Sequence, residues 1–220
     1  MSRALNDKIA RRLRKAGAAL TPTAISQLEK YLALLARWNS KINLTAFDLK
    51  EPTDEAIDRL VTEPVLAAHH IPSSVRSVID VGSGSGSPAI PLLIATPRLN
   101  VTMVESKTRK AVFLLEALRH LEVTDSRVET ARFEQLLTRP EFHEGFDALT
   151  IRAVRVEPST LMTLQAFLKP GSDLYLFHSS SRPFKIEASA FPLVHLTSVP
   201  LVESLSSHLV VLRKDVPRGT

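Results

Sequence analysis

The sequence predicts an α/β protein with a Rossmann-like, mostly parallel sheet, an antiparallel edge and an N-terminal helical extension. From Met1 to about Ile71, apolar residues recur at spacings of three and four, as on one face of a helix. From Val75 onward, short β-branched runs alternate with helical windows, which is typical of right-handed βαβ units. We therefore divide the chain into a helical extension over 1–74, an α/β domain over 75–216 and a tail over 217–220.

The extension is expected to contain at least two helices. One begins at Thr21-Pro22, because threonine is a good N-cap and proline suits the first helical position. A second is expected from Thr53 to His69, with Pro64 ending or kinking it. The apolar stripe of the first helix comprises Ile25, Leu28, Leu32, Leu35, Trp38 and Ile42.

In the α/β domain, strands and helices are predicted to alternate. Strands are expected over 75–81, 101–104, 126–130, 148–151 and 174–177, and helices from about 88, over 108–120 and over 158–168. The tripeptide Lys169-Pro170-Gly171 is interpreted as a turn. Two later β-branched runs, over 196–199 and 208–212, have no helix between them, which predicts the antiparallel edge.

The composition excludes cysteine chemistry and argues against a metal site. The chain of 220 residues contains no cysteine, so disulfides, thiolate nucleophiles and cysteine metal sites are excluded. His69 and His70 are adjacent and would point to different faces of a helix, so no metal site is expected. The net charge of +5 permits a polyanionic partner such as nucleic acid but does not establish one.

The N-terminal segment Met1 to Leu20 lacks the apolar core and the small-residue cleavage site of a secretory signal. No stretch of the chain approaches a membrane-spanning length. These observations predict a cytoplasmic protein that does not enter a membrane.

A glycine-rich segment follows the first predicted strand: Asp80-Val81-Gly82-Ser83-Gly84-Ser85-Gly86. Glycines at this position let the backbone turn sharply and approach a ligand closely. The spacing G-x-G-x-G lacks the Gly-Lys-Ser/Thr of a Walker loop and misses the G-x-G-x-x-G dinucleotide fingerprint, since Ser87 and Pro88 follow. A plain Gly-Ser turn between strand and helix is the alternative interpretation.

Acidic residues at two consecutive strand ends favour a nucleoside ligand. Asp80 precedes the glycines, and Glu105 ends the second strand, where a carboxylate can accept hydrogen bonds from ribose hydroxyls. The helix N-terminus behind the loop can face a carboxylate as well as a phosphate. S-adenosylmethionine, which has a ribose and a carboxylate but no phosphate, fits this pattern, and NAD is the alternative ligand.

The sequence resembles the bacterial small-subunit rRNA methyltransferase G family, also called glucose-inhibited division protein B, over about residues 5–214. Two specific patterns carry the resemblance: W-N-x-x-I-N-L-T over 38–45 and D-V-G-x-G-x-G-x-P-x-I-P-L over 80–92. Shorter matches are Glu105-Ser106, Phe113-Leu114, Arg132-x-Glu134, Arg152-Ala153, Leu168-Lys169-Pro170-Gly171 and His208-Leu209-Val210-Val211. Members of this family methylate N7 of a guanine in 16S rRNA of the small ribosomal subunit, with S-adenosylmethionine as methyl donor.

The resemblance implies roles for individual residues. The cofactor-binding set it implies is Asp80, Gly82, Gly84, Gly86, Ser87, Glu105, Phe133, Glu134 and Arg152, with Glu105 at the ribose and Phe133 and Glu134 beside the adenine. It implies that Asn43, Arg132 and Arg152 position the rRNA substrate. Each substrate residue has a plainer alternative: Asn43 could tie down the turn after the Trp38 helix, and Arg132 could be a solvated loop residue.

The chain also departs from the family pattern. Where the family usually has Arg-His-x-x-Asp-Ser, this sequence has Arg59-Leu60-Val61-Thr62-Glu63-Pro64. Ile151 replaces a serine before Arg152, and His178 stands where a lysine is expected. The residues implied in cofactor binding are kept, whereas the segments implied in substrate binding are altered. Two further hypotheses therefore stay open. The protein could be a methyltransferase with a small-molecule or protein substrate, or a ribosome-binding protein that has lost methyl transfer.

The implied chemistry needs no acid/base pair. Guanine N7 has an available lone pair, so no proton must leave before attack, and catalysis would consist of orientation and electrostatics. The arginine fork can bind guanine O6 or a phosphate, so Arg132 and Arg152 are assigned to positioning. The predicted partner is 16S rRNA or the 30S subunit, and the protein is expected to be a monomer.

Overall fold

Seven strands form one mixed sheet in the computed structural model, which describes residues 3–152, 157–179 and 192–216. In chain order the strands are β1 (Ser77–Val81), β2 (Asn100–Val104), β3 (Arg127–Glu129), β4 (Phe146–Arg152), β5 (Leu168–Ser179), β6 (Leu193–Pro200) and β7 (Ser207–Lys214). Their spatial order is β3-β2-β1-β4-β5-β7-β6. The first five are parallel, and β7 is antiparallel to both β5 and β6, which confirms the predicted parallel sheet with an antiparallel edge.

Eight α-helices flank the strands within the described residues. They are α1 (Arg3–Lys15), α2 (Pro22–Asn39), α3 (Asp54–Ile57), α4 (Glu63–Ala68), α5 (Ala89–Ala95), α6 (Thr108–His120), α7 (Phe133–Leu136) and α8 (Pro158–Leu164). The predicted start of α2 is confirmed, because the Thr21 side chain accepts a hydrogen bond from the Ala24 N–H at 3.2 Å. Ala153 and the predicted tail 217–220 lie outside the described residues.

The helix predicted over 53–69 is instead three consecutive segments. A π-helical turn, Asp58–Thr62, joins α3 to α4. Pro64 therefore does not end the helix; it occupies the first turn of α4, where a missing N–H is tolerated. The irregularity expected at Pro64 lies instead in the π-turn that precedes it.

The interpretation of Lys169-Pro170-Gly171 as a turn is wrong, because these residues lie within β5. They form an irregularity in the ladder: Phe146 pairs with Leu168, and the next pair is Ala148 with Asp173. Gly171 has a φ of 78°, which glycine adopts without steric cost. The proline and glycine bend the strand and do not end it.

The N-terminal helices share a hydrophobic core with the sheet. Buried side chains of α1 and α2, such as Ile9, Leu28 and Leu35, belong to the same cluster as Val78 of β1 and Leu209 of β7. The aromatic ring of Trp38 packs edge-on against Phe113 of α6, with centroids 6.0 Å apart. This packing brings α2 and the π-turn against the carboxyl end of β1, where the glycine loop begins.

The second residue after α6, Glu122, allows a stability prediction. Glu122 has a φ of 57°, in the left-handed region that disfavours side chains with a Cβ. We expect Glu122→Gly to raise the free energy of unfolding by about 0.5 kcal/mol, since relief of strain exceeds the entropy that glycine adds to the unfolded chain. Urea denaturation measures the difference. Glu122→Ala keeps the strain and is the control; an equal gain in that variant would contradict the explanation.

Candidate active site

A cavity of about 340 Å³ opens at the carboxyl ends of β1, β2 and β3. Open α/β sheets bind ligands at this edge. The cavity is lined by Val81, Gly82, Val104, Glu105, Ser106, Ala131, Arg132, Phe133 and Glu134. It therefore brings together five predicted site residues: Gly82, Glu105, Arg132, Phe133 and Glu134.

Glu105 is fixed in this cavity by the backbone. Its Oε2 accepts a hydrogen bond from the Gly84 N–H at 3.0 Å, and its Oε1 accepts one from the Lys107 N–H at 2.8 Å. The residue is only 7% exposed. Each oxygen keeps further lone pairs, so the carboxylate can accept additional hydrogen bonds from a ligand without moving.

The glycine loop turns tightly above the start of α5. Gly86 has a φ of 85°, and a Cβ there would lie 2.5 Å from Ile90 Cδ1 and 3.3 Å from Leu114 Cδ2. Gly84 also has a positive φ of 51°, but its nearest neighbour to such a Cβ would be a backbone oxygen at 3.6 Å. The space against α5 and α6 thus requires glycine at 86 for two reasons, steric and conformational.

Two hydroxyl groups hold the back of the loop against the N-terminal helices. The phenol of Tyr31 donates to the Ser85 carbonyl at 2.9 Å, and burial raises the pKa of Tyr31, which keeps the hydroxyl protonated. The Ser87 hydroxyl donates to the Leu60 carbonyl, also at 2.9 Å. Ser87 therefore points its hydroxyl at the π-turn; the role in cofactor binding predicted for it stays a prediction.

The Leu60 carbonyl accepts its hydrogen bond from Ser87 because the residue four positions after Leu60 is a proline. In a regular helix the N–H of residue 64 would donate to this carbonyl, but proline has none. We expect Ser87→Ala to lower the free energy of unfolding by about 1–3 kcal/mol, since a buried carbonyl loses its partner. Urea denaturation of Ser87→Ala, Pro64→Ala and the double variant tests this. In the double variant, the N–H that Pro64→Ala adds should recover part of the stability lost in Ser87→Ala. A double variant no more stable than Ser87→Ala would contradict the proposed role of the Ser87 hydroxyl.

Asp80 lies beneath the loop and is 1% exposed. Its Oδ1 accepts a hydrogen bond from the Thr150 hydroxyl at 2.6 Å. Its Oδ2 is buried without a hydrogen-bond partner among the described residues. Burial raises the pKa of Asp80 above its ordinary value. An acceptor atom left open at the base of the loop suits a ligand that brings a donor or a cation.

Arg152 ends β4, on the side of the loop that faces the N-terminal helices. Its guanidinium lies 4.5 Å from the centre of the Phe177 ring, and Nη2 lies 3.1 Å from Oε2 of Glu63. Nη1 donates to the Arg59 carbonyl. Burial lowers the pKa of Arg152, and the charge of Glu63 opposes that shift. Arg152 does not line the cavity beside Glu105.

The substrate residues implied by resemblance lie in two places. Arg132 is exposed at the rim of the cavity, where it precedes α7. Asn43 is exposed in the loop after α2 and lines a separate cavity of about 600 Å³. That loop is tied down by Asn39, whose Oδ1 accepts the N–H groups of Leu44 and Thr45 at 2.9 and 3.0 Å. The anchoring suggested for Asn43 therefore belongs to its neighbour in the motif.

Sequence reasoning did not identify Tyr31, Thr150 and Glu63 as parts of this site. Tyr31 lies 54 residues before the carbonyl that it holds, within an apolar stripe that indicates only a buried face. Thr150 lies within a buried strand. Glu63 had one signal in the sequence: it stands where the family pattern has an aspartate, and an unexpected proline follows it.

Fold and site together define an α/β protein with a Rossmann-like methyltransferase fold, whose glycine loop and strand-end carboxylate border one cavity. The solved structures that resemble it share the fold at low sequence identity. A SAM-dependent methyltransferase from Aquifex aeolicus has a TM-score of 0.53 at 13% identity, covering 72% of this chain and 92% of that one. The mitomycin 7-O-methyltransferase MmcR has a TM-score of 0.58 at 16% identity, covering 86% and 68%.

Sequence comparison identifies the family. The model described as rRNA small subunit methyltransferase G matches residues 24–204. A protein named ribosomal RNA small subunit methyltransferase G from Xanthomonas axonopodis pv. citri is 39% identical over 197 residues, 85% of each chain. One of that name from Roseiflexus is 36% identical over 163 residues, 70% of this chain and 63% of the relative. The chain belongs to the rRNA small subunit methyltransferase G family.

Two further findings concern the described residues alone. Among them, no group of three or more histidine, aspartate or glutamate side chains is arranged to hold a metal ion. No helix in this part of the chain is long and apolar enough to cross a membrane.

Proposed function

We propose that this protein is a cytoplasmic S-adenosylmethionine-dependent methyltransferase that modifies N7 of a guanine in 16S rRNA of the small ribosomal subunit. The observation that carries the proposal is the carboxylate of Glu105, held by two backbone N–H groups at the edge of the cavity. Membership of the rRNA small subunit methyltransferase G family supports the substrate.

The residues present fit this cofactor. Glu105 offers lone pairs to the two ribose hydroxyls, and Phe133, half-buried beside the cavity, offers an apolar face to the adenine. The Oδ2 atom of Asp80, which has no hydrogen-bond partner among the described residues, can accept a hydrogen bond from the ammonium group of the cofactor's amino-acid end. When bound, the cofactor supplies an electrophilic methyl group on its sulfonium sulfur.

The chain's own residues then bind and orient the base. Arg132, exposed at the rim, can hold a phosphate or the O6 acceptor of the guanine with its guanidinium fork. N7 uses its own lone pair, so no side chain has to remove a proton first. The enzyme therefore acts by orientation and by electrostatic support of the developing charge.

The altered stretch over 59–64 does not favour a different substrate. Leu60, Val61, Thr62 and Pro64 are buried, and none of them lines the cavity beside Glu105. The departures at Leu60 and Pro64 concern helix geometry and packing behind the glycine loop.

A methylation assay tests the function. The purified protein is incubated with radiolabelled S-adenosylmethionine and either unmethylated 30S subunits or naked 16S rRNA, and the product is located by nuclease digestion and mass spectrometry. We expect one 7-methylguanosine per 30S subunit. A folded protein that binds the cofactor at micromolar concentration but transfers no methyl group would instead support a ribosome-binding protein without catalysis.

A substitution of Arg132 is expected to affect substrate binding and leave cofactor binding unchanged. We expect Arg132→Ala to lower kcat/KM for the ribosomal substrate about 10–100-fold, the value of one good arginine contact to a base or phosphate, with the Kd for S-adenosylmethionine unchanged. Arg127→Ala removes an exposed arginine from the opposite end of β3 and is the control. Equal losses in the two variants would assign Arg132 to general charge attraction.

A further inference from the structure

Glu63 is a buried carboxylate that holds two guanidinium groups. Its Oε1 accepts a hydrogen bond from Arg59 Nη1 at 2.8 Å, and its Oε2 lies 3.1 Å from Arg152 Nη2. Glu63 is 1% exposed. A buried ion pair contributes little net stability compared with apolar residues of the same size, so its value lies in where it places the charges.

The backbone around Glu63 is shaped to receive Arg152. In the π-turn, the Glu63 N–H donates to the Asp58 carbonyl, five residues back. A regular helix would direct that N–H to the Arg59 carbonyl. The π-turn therefore leaves the Arg59 carbonyl open, and Arg152 Nη1 donates to it. The same turn presents two oxygen groups to the Arg152 guanidinium: the Arg59 carbonyl accepts a hydrogen bond, and the Glu63 carboxylate forms an ion pair.

This arrangement joins the carboxyl ends of β4 and β5. Arg152 ends β4, and Arg59 donates to the hydroxyl of Ser179 at the end of β5. Glu63 lies between the two arginines. The Phe177 ring covers the guanidinium of Arg152 from a third direction, so its orientation is restricted on several sides.

We propose that Glu63 is a positioning residue of the methyl-transfer site: through its ion pair it orients Arg152 at the carboxyl end of β4. This role rests on the proposed function and on the substrate-positioning role that the family resemblance implies for Arg152. The π-turn and Pro64 contribute to the same arrangement, because they leave the Arg59 carbonyl free to bind Arg152 and the Leu60 carbonyl free to bind Ser87 of the glycine loop.

The central test compares Glu63→Gln with Glu63→Asp. Glutamine keeps the size and removes the charge, whereas aspartate keeps the charge and is the acid usual in the family pattern. We expect Glu63→Gln to lower kcat for methylation of 30S subunits at least tenfold, with the Kd for S-adenosylmethionine within twofold of wild type, and Glu63→Asp to retain most of the activity. The control is Glu55→Gln, an exposed glutamate in α3.

A second measurement does not depend on activity. In a protein with ¹⁵N-labelled arginine, the Nη–H signals of Arg152 are assigned by their absence from Arg152→Lys. Because Glu63 contacts Nη2, these signals should be protected from exchange in wild type and Glu63→Asp and lose that protection in Glu63→Gln. Unchanged protection in Glu63→Gln would overturn the proposal. If wild type transfers no methyl group to 30S subunits, the proposed function fails, while these signals still decide whether Glu63 holds Arg152.

The double variant covers a failure to fold. If Glu63→Gln does not fold, Glu63→Gln/Arg152→Gln, which removes both partners, is compared with Arg152→Gln. A residue that acts only through Arg152 adds nothing further, so the two should have equal kcat. A lower kcat in the double variant would overturn the assignment.

Discussion

Replacing Glu105 by alanine should weaken the binding of S-adenosylmethionine about 100-fold. The carboxylate receives the Gly84 and Lys107 N–H groups and is proposed to receive the ribose hydroxyls as well. Charge-assisted hydrogen bonds contribute about 1.5–3 kcal/mol each, so losing the ligand contacts and the fixed loop should cost about 3 kcal/mol. Isothermal titration calorimetry measures the Kd, with Glu122→Ala, an exposed glutamate, as the control.

A cofactor analogue separates the two contributions of Glu105. Wild type should bind 2′-deoxy-S-adenosylhomocysteine more weakly than S-adenosylhomocysteine, because one ribose donor is missing. Glu105→Ala should no longer distinguish these two ligands. If the variant discriminates as strongly as wild type does, Glu105 holds only the loop, and the ribose contact has to be assigned to another residue.

The parts of this site that the sequence predicts are those governed by local rules. The glycine spacing and the acid at the end of β2 follow from strand–loop–helix order, because parallel strands bring their carboxyl ends to one edge. The structure places Gly82 and Glu105 around one cavity, as that order implies. The α6 boundaries, Thr108–His120, likewise agree with the apolar period.

The remaining parts depend on tertiary contacts. Pro64 predicts that the helix ends or kinks there, but helical structure continues through it, with a π-turn before it and the Ser87 hydroxyl as partner of the Leu60 carbonyl. Lys169-Pro170-Gly171 predicts a turn, but the segment lies within β5 between two residues that pair with β4, Leu168 and Asp173. Local rules describe which backbone groups lack a partner; only the packed fold shows which distant side chain supplies one.

Two departures from the family pattern become physically connected in the structure. Proline at 64 removes the N–H that would satisfy the Leu60 carbonyl, and Ser87 in the cofactor loop takes its place. Glutamate at 63 reaches Arg152 across the same turn. The segment that looked altered in sequence is thus the part of the extension that touches both the cofactor loop and β4.

Gly86→Ala should be the most damaging single substitution in the loop. Its φ of 85° is unfavourable for alanine by about 1–2 kcal/mol, and the new Cβ would lie 2.5 Å from Ile90 Cδ1, so the end of the Ile90 side chain would have to shift within a packed core. Overpacking of this kind costs about 1–3 kcal/mol, so we expect a loss of about 3 kcal/mol in the free energy of unfolding, measured by urea denaturation. The shifted loop should also lose cofactor binding.

A matched pair of variants distinguishes the clash from the backbone strain. Gly84→Ala has a positive φ but open space around its Cβ, so it should lose only about 1–2 kcal/mol. Ile90→Val removes the Cδ1 atom, and although this change alone costs about 0.5–1.5 kcal/mol, it should recover stability when combined with Gly86→Ala. Additive losses in the double variant, or equal losses at 84 and 86, would show that Ile90 does not confine the loop. Recovery of stability without recovery of cofactor binding would show instead that the φ of Gly86 itself sets the conformation of the cofactor-binding loop.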